Sequence, residues 1–437
     1  ELAEKLHKGE ITRRDFIHTA TVLGLSTGAA YSMAGMPSAG KKAHAAVKKG
    51  GNLRVSMNVM ATDDPAIFDW SEKGNVARHM TEPLVRIGDD GIAKPYLAES
   101  WSASDDLKTW TFNLRKNATW SNGDSFGADD VIHNFRRWLD PKTGSSNQGR
   151  FSSMTTTTDT GNKDEDGNAI MSTTEAGGAL EKVDDHTVRF HLNNGDLSLP
   201  ESMADYPALI VHKHFDDEGG NLVKNPVGTG PYALKEFAVG EKATLVRRND
   251  SAWWGGEVNL DQISYIDHGD DPAAQIAALA SDQVDTNYQT SIEQVETIKN
   301  LPDLKIYERV TAQTAVARMQ VTAKPYDNKK LRQAIQACVD RERMLELVYQ
   351  GRGRAAEDHH VAPIHPEYAE LPKQRQDYAK AKRLLAEAGY ADGIDLTIDC
   401  VSNPPWEQNA CKALSEMVKP AGINLAINIM PGGTYWG

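Results

Sequence analysis

Cysteine, positive charge and long apolar runs are all scarce in this sequence. Three cysteines in 437 residues exclude a scaffold built on disulfides and a zinc or iron–sulfur site built on several cysteines. Lysine and arginine number 48 against 61 aspartates and glutamates, for a net charge of −13. A nucleic-acid-binding protein needs a positive face, so this balance argues against one. Beyond residue 45 no apolar stretch is long enough to cross a bilayer, which predicts a soluble mature protein.

What is present is typical of a globular protein. Hydrophobic residues make up 40% of the chain and charged residues 25%, which argues against intrinsic disorder and fibrous repeats. At about 150 residues per domain, the length predicts ~3 domains or one large bilobal body. Strand and helix patterns alternate irregularly with long polar insertions, so the expected fold class is α/β with mixed sheets.

The first 45 residues have the features of an export signal. In order they contain the pair Arg13-Arg14, a weakly apolar run to about Met36, the pair Lys41-Lys42 and the small-x-small pattern Ala43-His44-Ala45. This order resembles a twin-arginine signal peptide and predicts that residues 1–45 are removed on export. The alternatives are a surface helix with a chance arginine pair and, less favoured because the run is too polar, a membrane anchor. Since the chain begins at Glu1 rather than Met, its natural start is expected to lie further upstream.

Periodic patterns predict particular elements. Alternation over residues 109–114 predicts a strand with Trp110, Phe112 and Leu114 on one face. Acidic residues open an apolar stripe over residues 128–139, which predicts an amphipathic helix.

Further patterns are less regular. An apolar stripe over residues 328–349 predicts one continuous helix, inside which Asp340 and Arg341 would form a local ion pair. Residues 304–307 are expected to form a strand, and residues 141–180 a long polar excursion.

Several short motifs occur in a fixed order beyond residue 50. They include Thr81-Glu82-Pro83-Leu84-Val85, Leu97-Ala98-Glu99-Ser100-Trp101, Ala128-Asp129-Asp130-Val131, Pro226-Val227-Gly228-Thr229-Gly230-Pro231-Tyr232, Trp253-Trp254, Leu331-Arg332-Gln333-Ala334-Ile335 and Lys380-Ala381-Lys382-x-Leu384-Leu385. Together they resemble the family-5 extracellular solute-binding proteins of ABC importers, the dipeptide- and oligopeptide-binding group. Any one motif alone is weak, but their spaced order over most of the chain is specific.

The resemblance implies a bilobal fold of the type II periplasmic-binding-protein kind, with an extra domain inserted in lobe I. Domain I would hold residues 46–95 and 224–318, domain II the insertion 96–223, and domain III residues 319–437. Members of the family continue beyond the point where this chain stops, so domain III is expected to be partial. The acidic residue that pairs with a peptide's ammonium group in the family is expected to lie in the missing part.

The motifs themselves are expected to specify the scaffold rather than to contact a ligand. Gly228 and Gly230 are expected to permit a tight turn at the start of a strand, where Pro231 fixes φ.

The loop after the first strand holds three candidate ligand-binding residues, Thr62, Asp63 and Asp64. A hinge-closing binder holds its ligand with loops at strand ends, in the cleft between its lobes. A hydroxyl and two carboxylates suit a ligand that carries an ammonium or hydroxyl group. The alternative is a solvated turn in which Asp63 or Asp64 caps the next segment.

The loop of residues 402–406 and the chain end hold the other candidates, Asn403, Trp406 and Trp436. The Trp406 ring could stack on a ring or a peptide plane, or pack against Pro405 and the start of the helix. In dipeptide-binding relatives this loop carries an arginine for the peptide carboxylate. Here no arginine occurs from Cys400 to Gly437, which argues against a dipeptide specificity.

No cofactor or metal is expected. The sets His359-His360 with His365 and His212 with His214 do not match a recognised ligand spacing, so surface positions are favoured. The segment Asn162-x-Asp164-x-Asp166-Gly167 resembles half of a calcium loop but lacks the closing acid, so a hairpin turn is favoured there.

Cys400 and Cys411 fall on a predicted strand and the helix that follows it, so they could pair. A twin-arginine substrate folds in a reducing compartment before export, which favours free buried thiols.

The resemblance implies a passive receptor in the periplasm. It would capture a peptide or peptide-like solute between its lobes and deliver it, as a monomer, to the ABC permease subunits in the inner membrane, with ligand shifting the population toward a closed form. Family members also take oligosaccharides, opines and nickel chelates, which are the alternative ligands. An exported hydrolase is a further alternative, but no credible nucleophile–base set is found outside the signal. A chemosensory receptor partner would use the same binding event.

Overall fold

The computed structural model of the chain divides into two compact units, Glu1–Tyr288 and Gln289–Gly437. It describes residues 2–8, 11, 16, 19–20, 48–88, 91–163, 167, 169–248, 253–269, 271–309, 311, 313–359, 361–365, 368–402, 404–431 and 435. The arginine pair at 13–14 and most of the expected export signal lie outside this set. The unit boundary precedes the expected start of domain III at residue 319, and the three-domain assignment stays a prediction.

The helices are α1 Leu2–His7, α2 Ser71–Ala77, α3 Ala128–Leu139, α4 Leu199–Ser202, α5 Pro272–Ala280, α6 Val295–Lys299, α7 Lys329–Cys338, α8 Arg341–Tyr349, α9 Tyr378–Glu387 and α10 Pro405–Val418. The strands are β1 Asn52–Ser56, β2 Val85–Ile87, β3 Ala93–Pro95, β4 Ala98–Ala103, β5 Thr109–Leu114, β6 Thr155–Lys163, β7 Ala169–Glu175, β8 Leu180–Asp184, β9 Thr187–His191, β10 Tyr232–Ala238, β11 Lys242–Arg247, β12 Gln262–Ile266, β13 Thr286–Asn287, β14 Ile394–Val401 and β15 Ile423–Met430. Within the described residues, no helix combines the length and the apolar character needed to span a membrane.

A five-stranded mixed sheet organises the first unit in the order β10-β11-β12-β1-β13. β1 runs parallel to both its neighbours, with Val55 opposite Tyr265 of β12 and Thr286 of β13. β11 pairs antiparallel with β10 and with β12. The buried residues of this sheet, among them Val55, Leu245 and Tyr265, belong to one apolar core.

A second sheet of the same unit is antiparallel, in the order β4-β5-β9-β8. The prediction for residues 109–114 is confirmed, because Trp110, Phe112 and Leu114 of β5 are all buried. The predicted helix 128–139 is confirmed as α3, whose Phe135 ring lies 4.5 Å from that of Phe190 on β9. A second core fills the space between this helix and the sheet.

The segment 141–180 is more regular than the sequence predicts. It contains β6 and β7, which pair antiparallel with Thr155 opposite Glu175 and Lys163 opposite Ala169. The segment is polar and largely exposed as predicted, but these two strands were not predicted, because exposed strands carry no alternation of apolar and polar residues. The hairpin expected around Gly167 agrees with this pairing, while Asp164 and Asp166 lie outside the described residues.

Gly228 and Gly230 lie against the backbone of residues 79–80. The Gly230 amide donates to the Met80 carbonyl at 2.7 Å. A Cβ on Gly228 would overlap the Met80 carbonyl oxygen, and one on Gly230 the His79 carbonyl oxygen. These glycines are required because two backbone segments approach each other closely here. Sequence analysis expected them instead for a tight turn.

The second unit is built on two parallel strands, β14 and β15, with Ile394 opposite Ile423. Its apolar core joins buried residues of α7, α9 and α10 to one face of these strands. The expected strand at residues 304–307 is wrong: the segment is irregular, and no described strand pairs with it.

The predicted continuous helix over 328–349 is also wrong. It is two helices, since α7 ends at Cys338 and α8 begins at Arg341. The Asp340 carboxylate caps α8 by accepting from the Arg343 amide at 3.0 Å, while the Arg341 guanidinium pairs with Asp358 at 2.5 Å. A helix cap therefore replaces the expected local ion pair, and the apolar stripe spans both helices because both pack on the same core.

Candidate functional site

The carboxyl ends of three parallel strands meet at one edge of the five-stranded sheet. β1 ends at Ser56, β12 at Ile266 and β13 at Asn287. In open α/β sheets, ligands bind outside the carboxyl ends of the strands, where side chains of successive connections converge. The polar residues here are Ser56, His268, Asn287 and Tyr288, which we call the carboxyl-edge cluster.

The cluster is held by hydrogen bonds to neighbouring segments. The Ser56 hydroxyl lies 3.0 Å from Nδ1 of His268, and the Tyr288 amide donates to the Ser56 carbonyl at 3.0 Å. The Tyr288 hydroxyl donates to the Ser71 hydroxyl at 3.1 Å. The Oδ1 atom of Asn287 is buried and accepts no hydrogen bond from any residue that the structure describes. A buried amide oxygen without a donor is costly, so an N–H group of a ligand would be favoured at this point.

This arrangement suits binding better than catalysis. Ser56 is almost fully buried in β1, which leaves its hydroxyl little access to a substrate. Within the described residues, no carboxylate is bonded to His268 to orient its ring, as a serine–histidine mechanism requires. The cluster therefore offers hydrogen-bond donors and acceptors rather than an activated nucleophile.

The loop of Thr62, Asp63 and Asp64 is placed by the structure in the first unit. Thr62 is fully buried, and its hydroxyl donates to the Met60 carbonyl at 2.9 Å. Asp63 is exposed and accepts from the Asn221 side chain at 2.6 Å. Of these three residues, Asp63 is therefore the one with a carboxylate at the surface, and its role as a ligand contact stays a prediction.

Asp64 is occupied by contacts within the fold. Its carboxylate accepts from the Ala66 amide at 3.0 Å and so caps the 3₁₀ turn Pro65–Ile67. It also pairs at 2.5 Å with Arg137, a guanidinium only 9% exposed that pairs with Asp216 at 2.9 Å as well. The capping alternative is what the structure shows for Asp64.

The second predicted loop belongs to the other unit. Asn403 and Trp436 lie outside the described residues. Trp406 lies in the first turn of α10, partly buried, with its ring 5.6 Å from that of Tyr349 on α8. Burial raises the pKa of Tyr349 to about 12, helped by the nearby carboxylates of Glu407 and Glu293. Trp406 thus packs on α8 and keeps part of its ring accessible.

No metal centre is formed by the described residues, which contain no group of three or more side chains able to share an ion. His359 lies 3.4 Å from the Glu357 carboxylate, and His360 is outside the described set. The surface position expected for His212 is wrong, because it is buried 3.1 Å from Asp124, whereas His214 is exposed beside Asp217 as predicted.

Sequence reasoning missed the carboxyl-edge cluster. Ser56 ends a strand that was predicted, but β12 and β13 were not predicted, and β13 has only two residues. Polar residues directly after the β-rich run at Ile263–Ile266 were an available signal for His268. Asn287 and Tyr288 carry no such signal, because only pairing with β1 defines their strand.

Comparison with known proteins assigns the chain to a protein family. Residues 93–437 match the family model of the bacterial extracellular solute-binding proteins, family 5, middle part. The chain therefore belongs to the family-5 extracellular solute-binding proteins, as the motifs predicted.

Two relatives are a little more than a quarter identical to the chain over the residues that align. Heme-binding protein A of Haemophilus influenzae is 29% identical over 320 residues, which cover 69% of this chain and 55% of that protein. Di/tripeptide-binding protein 1 of Pseudomonas aeruginosa is 28% identical over 362 residues, which cover 78% of this chain and 64% of that protein. The chain thus spans between half and two thirds of the length of these curated relatives.

Solved structures confirm the fold class. A Helicobacter pylori periplasmic binding protein, DppA, in complex with the peptide STSA superposes with a TM-score of 0.69 at 22% identity, covering 89% of this chain and 75% of that one. A Pseudoalteromonas dipeptide-binding protein in complex with Met-Leu gives a TM-score of 0.68 at 25% identity, covering 88% and 77%. The predicted α/β fold of a periplasmic binding protein is therefore confirmed.

Proposed function

We propose that this chain is the substrate-binding component of an ABC importer and captures a peptide or peptide-like solute. The observation that carries the proposal is the family match over residues 93–437. It is supported by relatives named as di/tripeptide- and oligopeptide-binding proteins. The carboxyl-edge cluster provides the chemistry, since a peptide presents the N–H and C=O groups that such side chains bind.

Recognition at this edge is by hydrogen bonds from groups the fold already holds in place. Asn287 Oδ1 accepts from a solute N–H, and the imidazole of His268 and the phenol of Tyr288 provide further polar contacts at the same edge. Asp63 adds a carboxylate for a cationic group, and Asn403, Trp406 and Trp436 remain candidate ligand residues on the strength of the sequence. Groups fixed before binding lose little conformational entropy when the ligand arrives.

Capture breaks no bond in the solute, so we assign the protein no enzymatic role. It acts as a monomer in the periplasm and hands its solute to permease subunits in the inner membrane. Residues 1–45 direct its export by the twin-arginine pathway. The division into domain I (46–95 and 224–318), domain II (96–223) and domain III (319–437) is part of this proposal.

The test is ligand-induced stabilisation of the full-length protein, with a panel of dipeptides, tripeptides, longer peptides, opines, oligosaccharides and nickel chelates. A true ligand at 100 times its Kd raises the free energy of unfolding by about 2.7 kcal/mol. Stabilisation by peptides is the expected result. Stabilisation by one of the other classes alone would replace the peptide by that class, and no response to any compound would contradict the receptor function.

Substitutions in the carboxyl-edge cluster test whether the solute binds there. His268→Ala and Asn287→Ala each remove one hydrogen-bonding group, so each should weaken binding by about 1 kcal/mol or more, which is roughly five- to tenfold in Kd. His191→Ala is the matched control, because His191 lies on β9 in the other sheet of the unit. Unchanged Kd values in both site variants would remove the carboxyl-edge cluster from the binding site.

A further inference from the structure

Three buried polar side chains lie on one face of α3, spaced four and three residues apart: Asp130, Asn134 and Arg137. They contact residues 211–222, which we call the anchored segment. The Asp130 carboxylate accepts from the Lys213 amide at 3.1 Å. The Asn134 side chain donates to the Val211 carbonyl at 2.6 Å and accepts from the Val211 amide at 3.0 Å. The helix therefore fixes the backbone of this segment through buried hydrogen bonds.

Arg137 bridges the anchored segment and the loop that follows β1. Its guanidinium is only 9% exposed and lies 5.0 Å from the centre of the Phe215 ring. It pairs with Asp216 of the anchored segment at 2.9 Å and with Asp64 of the loop at 2.5 Å. A planar guanidinium presents its N–H donors in a fixed fork, so one arginine holds both carboxylates in a defined geometry, which a lysine ammonium does not do.

The anchored segment also holds Asp63, the loop residue before Asp64. The Leu222 amide donates to the Asp63 carbonyl at 2.7 Å, and the Asn221 side chain donates to Oδ1 of the Asp63 carboxylate at 2.6 Å. The Asp63 side chain is exposed, and none of the residues that the structure describes donates to its Oδ2 atom. The carboxylate is therefore fixed in orientation and keeps one oxygen for a solute.

We propose that Arg137 is a positioning residue for solute binding, which holds the Asp63 carboxylate where it accepts from an ammonium group of the solute. The inference rests on the proposed function, in which Asp63 meets a cationic group. Arg137 is buried and acts through Asp64 and the anchored segment rather than by contact with the solute. A carboxylate fixed before binding loses little conformational entropy when the ligand arrives, so loss of the anchor weakens binding without removing a ligand contact.

The experiment compares two peptides on the folded full-length protein by isothermal titration calorimetry. Alanyl-lysyl-alanine carries a side-chain ammonium group, and alanyl-norleucyl-alanine lacks only that group. An exposed ion pair gives the wild type a preference for the lysine peptide of about two- to fivefold in Kd. Asp63→Ala should bind both peptides equally. The preference thus reports the Asp63 contact, whereas a role of Arg137 in folding alone would leave the preference unchanged.

Substitutions of Arg137 test the anchor. Arg137→Met should lose most of the preference for the lysine peptide, and adding Asp63→Ala should lower it no further, because both changes remove the same contact. Arg137→Lys keeps the positive charge but not the fork, so its preference should lie between those of the wild type and Asp63→Ala. Arg136→Met is the matched control, since Arg136 is exposed on the same helix and lies 3.8 Å from Glu175. It should keep the wild-type preference.

Melting curves establish which variants are folded at the temperature of the titration. If Arg137→Met does not fold, Arg137→Lys decides, and a wild-type preference in the folded variant would overturn the inference. Equal affinity of the wild type for the two peptides would also overturn it, while leaving the proposed function in place. Binding of neither peptide by the wild type would count against the peptide function itself, and the inference would fall with it.

Discussion

The indole Nε1 of Trp254 donates to the Glu82 carboxylate at 2.8 Å, deep inside the first unit. Trp253 donates to the other carboxylate oxygen at 3.0 Å. Glu82 is fully buried, and this burial raises its pKa. Two separated motifs of the family signature, the one that contains Glu82 and the pair Trp253-Trp254, thus meet at one carboxyl group, which agrees with the expectation that they specify the scaffold.

Replacing this carboxyl group should destabilise the protein. Glutamine has one side-chain oxygen and one NH₂ group, so in Glu82→Gln only one of the two indole N–H groups finds an acceptor. The other is left without one, and a loss of about 1–3 kcal/mol in the free energy of unfolding is expected. Urea denaturation measures it. Glu241→Gln, at an exposed glutamate, is the matched control and should change the value by less than about 0.5 kcal/mol. Equal urea midpoints for the wild type, Glu82→Gln and Glu241→Gln would mean that the hydrogen bonds from the indoles do not contribute to stability.

Gly228 should tolerate no side chain. A Cβ at this position would meet the Met80 carbonyl oxygen, and a backbone atom cannot rotate away as a flexible side chain can. Gly228→Ala should therefore cost about 3 kcal/mol or more, or prevent folding. Gly149→Ala is the control, since a Cβ there meets open space, and it should stay within about 1 kcal/mol of the wild type. Similar melting temperatures for the two variants would contradict the packing argument.

His79 should make the protein sensitive to acid. Burial, with a smaller contribution from Arg78, lowers the pKa of His79 to about 4. Its neutral ring lies 2.8 Å from the Tyr265 hydroxyl, which donates to the Asn75 carbonyl. Because the folded pKa lies below the unfolded value of about 6.5, this stability is present above pH 6.5 and is lost as the pH falls towards 4. The loss is at most about 3 kcal/mol.

The measurement is the free energy of unfolding at pH 7 and pH 4.5 for the wild type and His79→Gln, which cannot take up the proton. The variant should lose less stability on acidification. Buried Glu82 has the opposite sign, since its raised pKa lowers stability as the pH rises, so the difference between the two proteins isolates His79. His214→Gln removes an exposed histidine and should keep the wild-type slope. Parallel pH profiles for wild type and His79→Gln would contradict the prediction.

Alanine substitutions at Asp63 and Asp64 should have different effects, one on ligand binding and the other on the stability of the fold. Asp64→Ala removes a cap and one partner of the buried Arg137, so it should cost about 2–4 kcal/mol in the free energy of unfolding. Asp63→Ala removes an exposed carboxylate and should cost less than about 1 kcal/mol. If Asp63 contacts a cationic solute, Asp63→Ala lowers the ligand-induced stabilisation, whereas unchanged stabilisation would exclude that contact.

Local patterns predicted the elements whose geometry is local. The β5 alternation and the α3 stripe were read correctly, because side-chain periodicity in a strand or helix depends on a few neighbouring residues. The same reasoning joined α7 and α8 into one helix, since the apolar stripe continues while Asp340 turns the chain as a cap. It also missed β13, whose two residues are a strand only through their pairing with β1.

The sequence by itself determined the family and the α/β class, because the order of its motifs and their periods can be read along the chain. Only the tertiary structure decided that Ser56, His268 and Asn287 share one sheet edge and that Asp64 pairs with Arg137. These contacts join residues far apart in sequence or on different elements. They depend on strand register and on how helices pack, and both are set by the free energy of the whole fold rather than by any one segment.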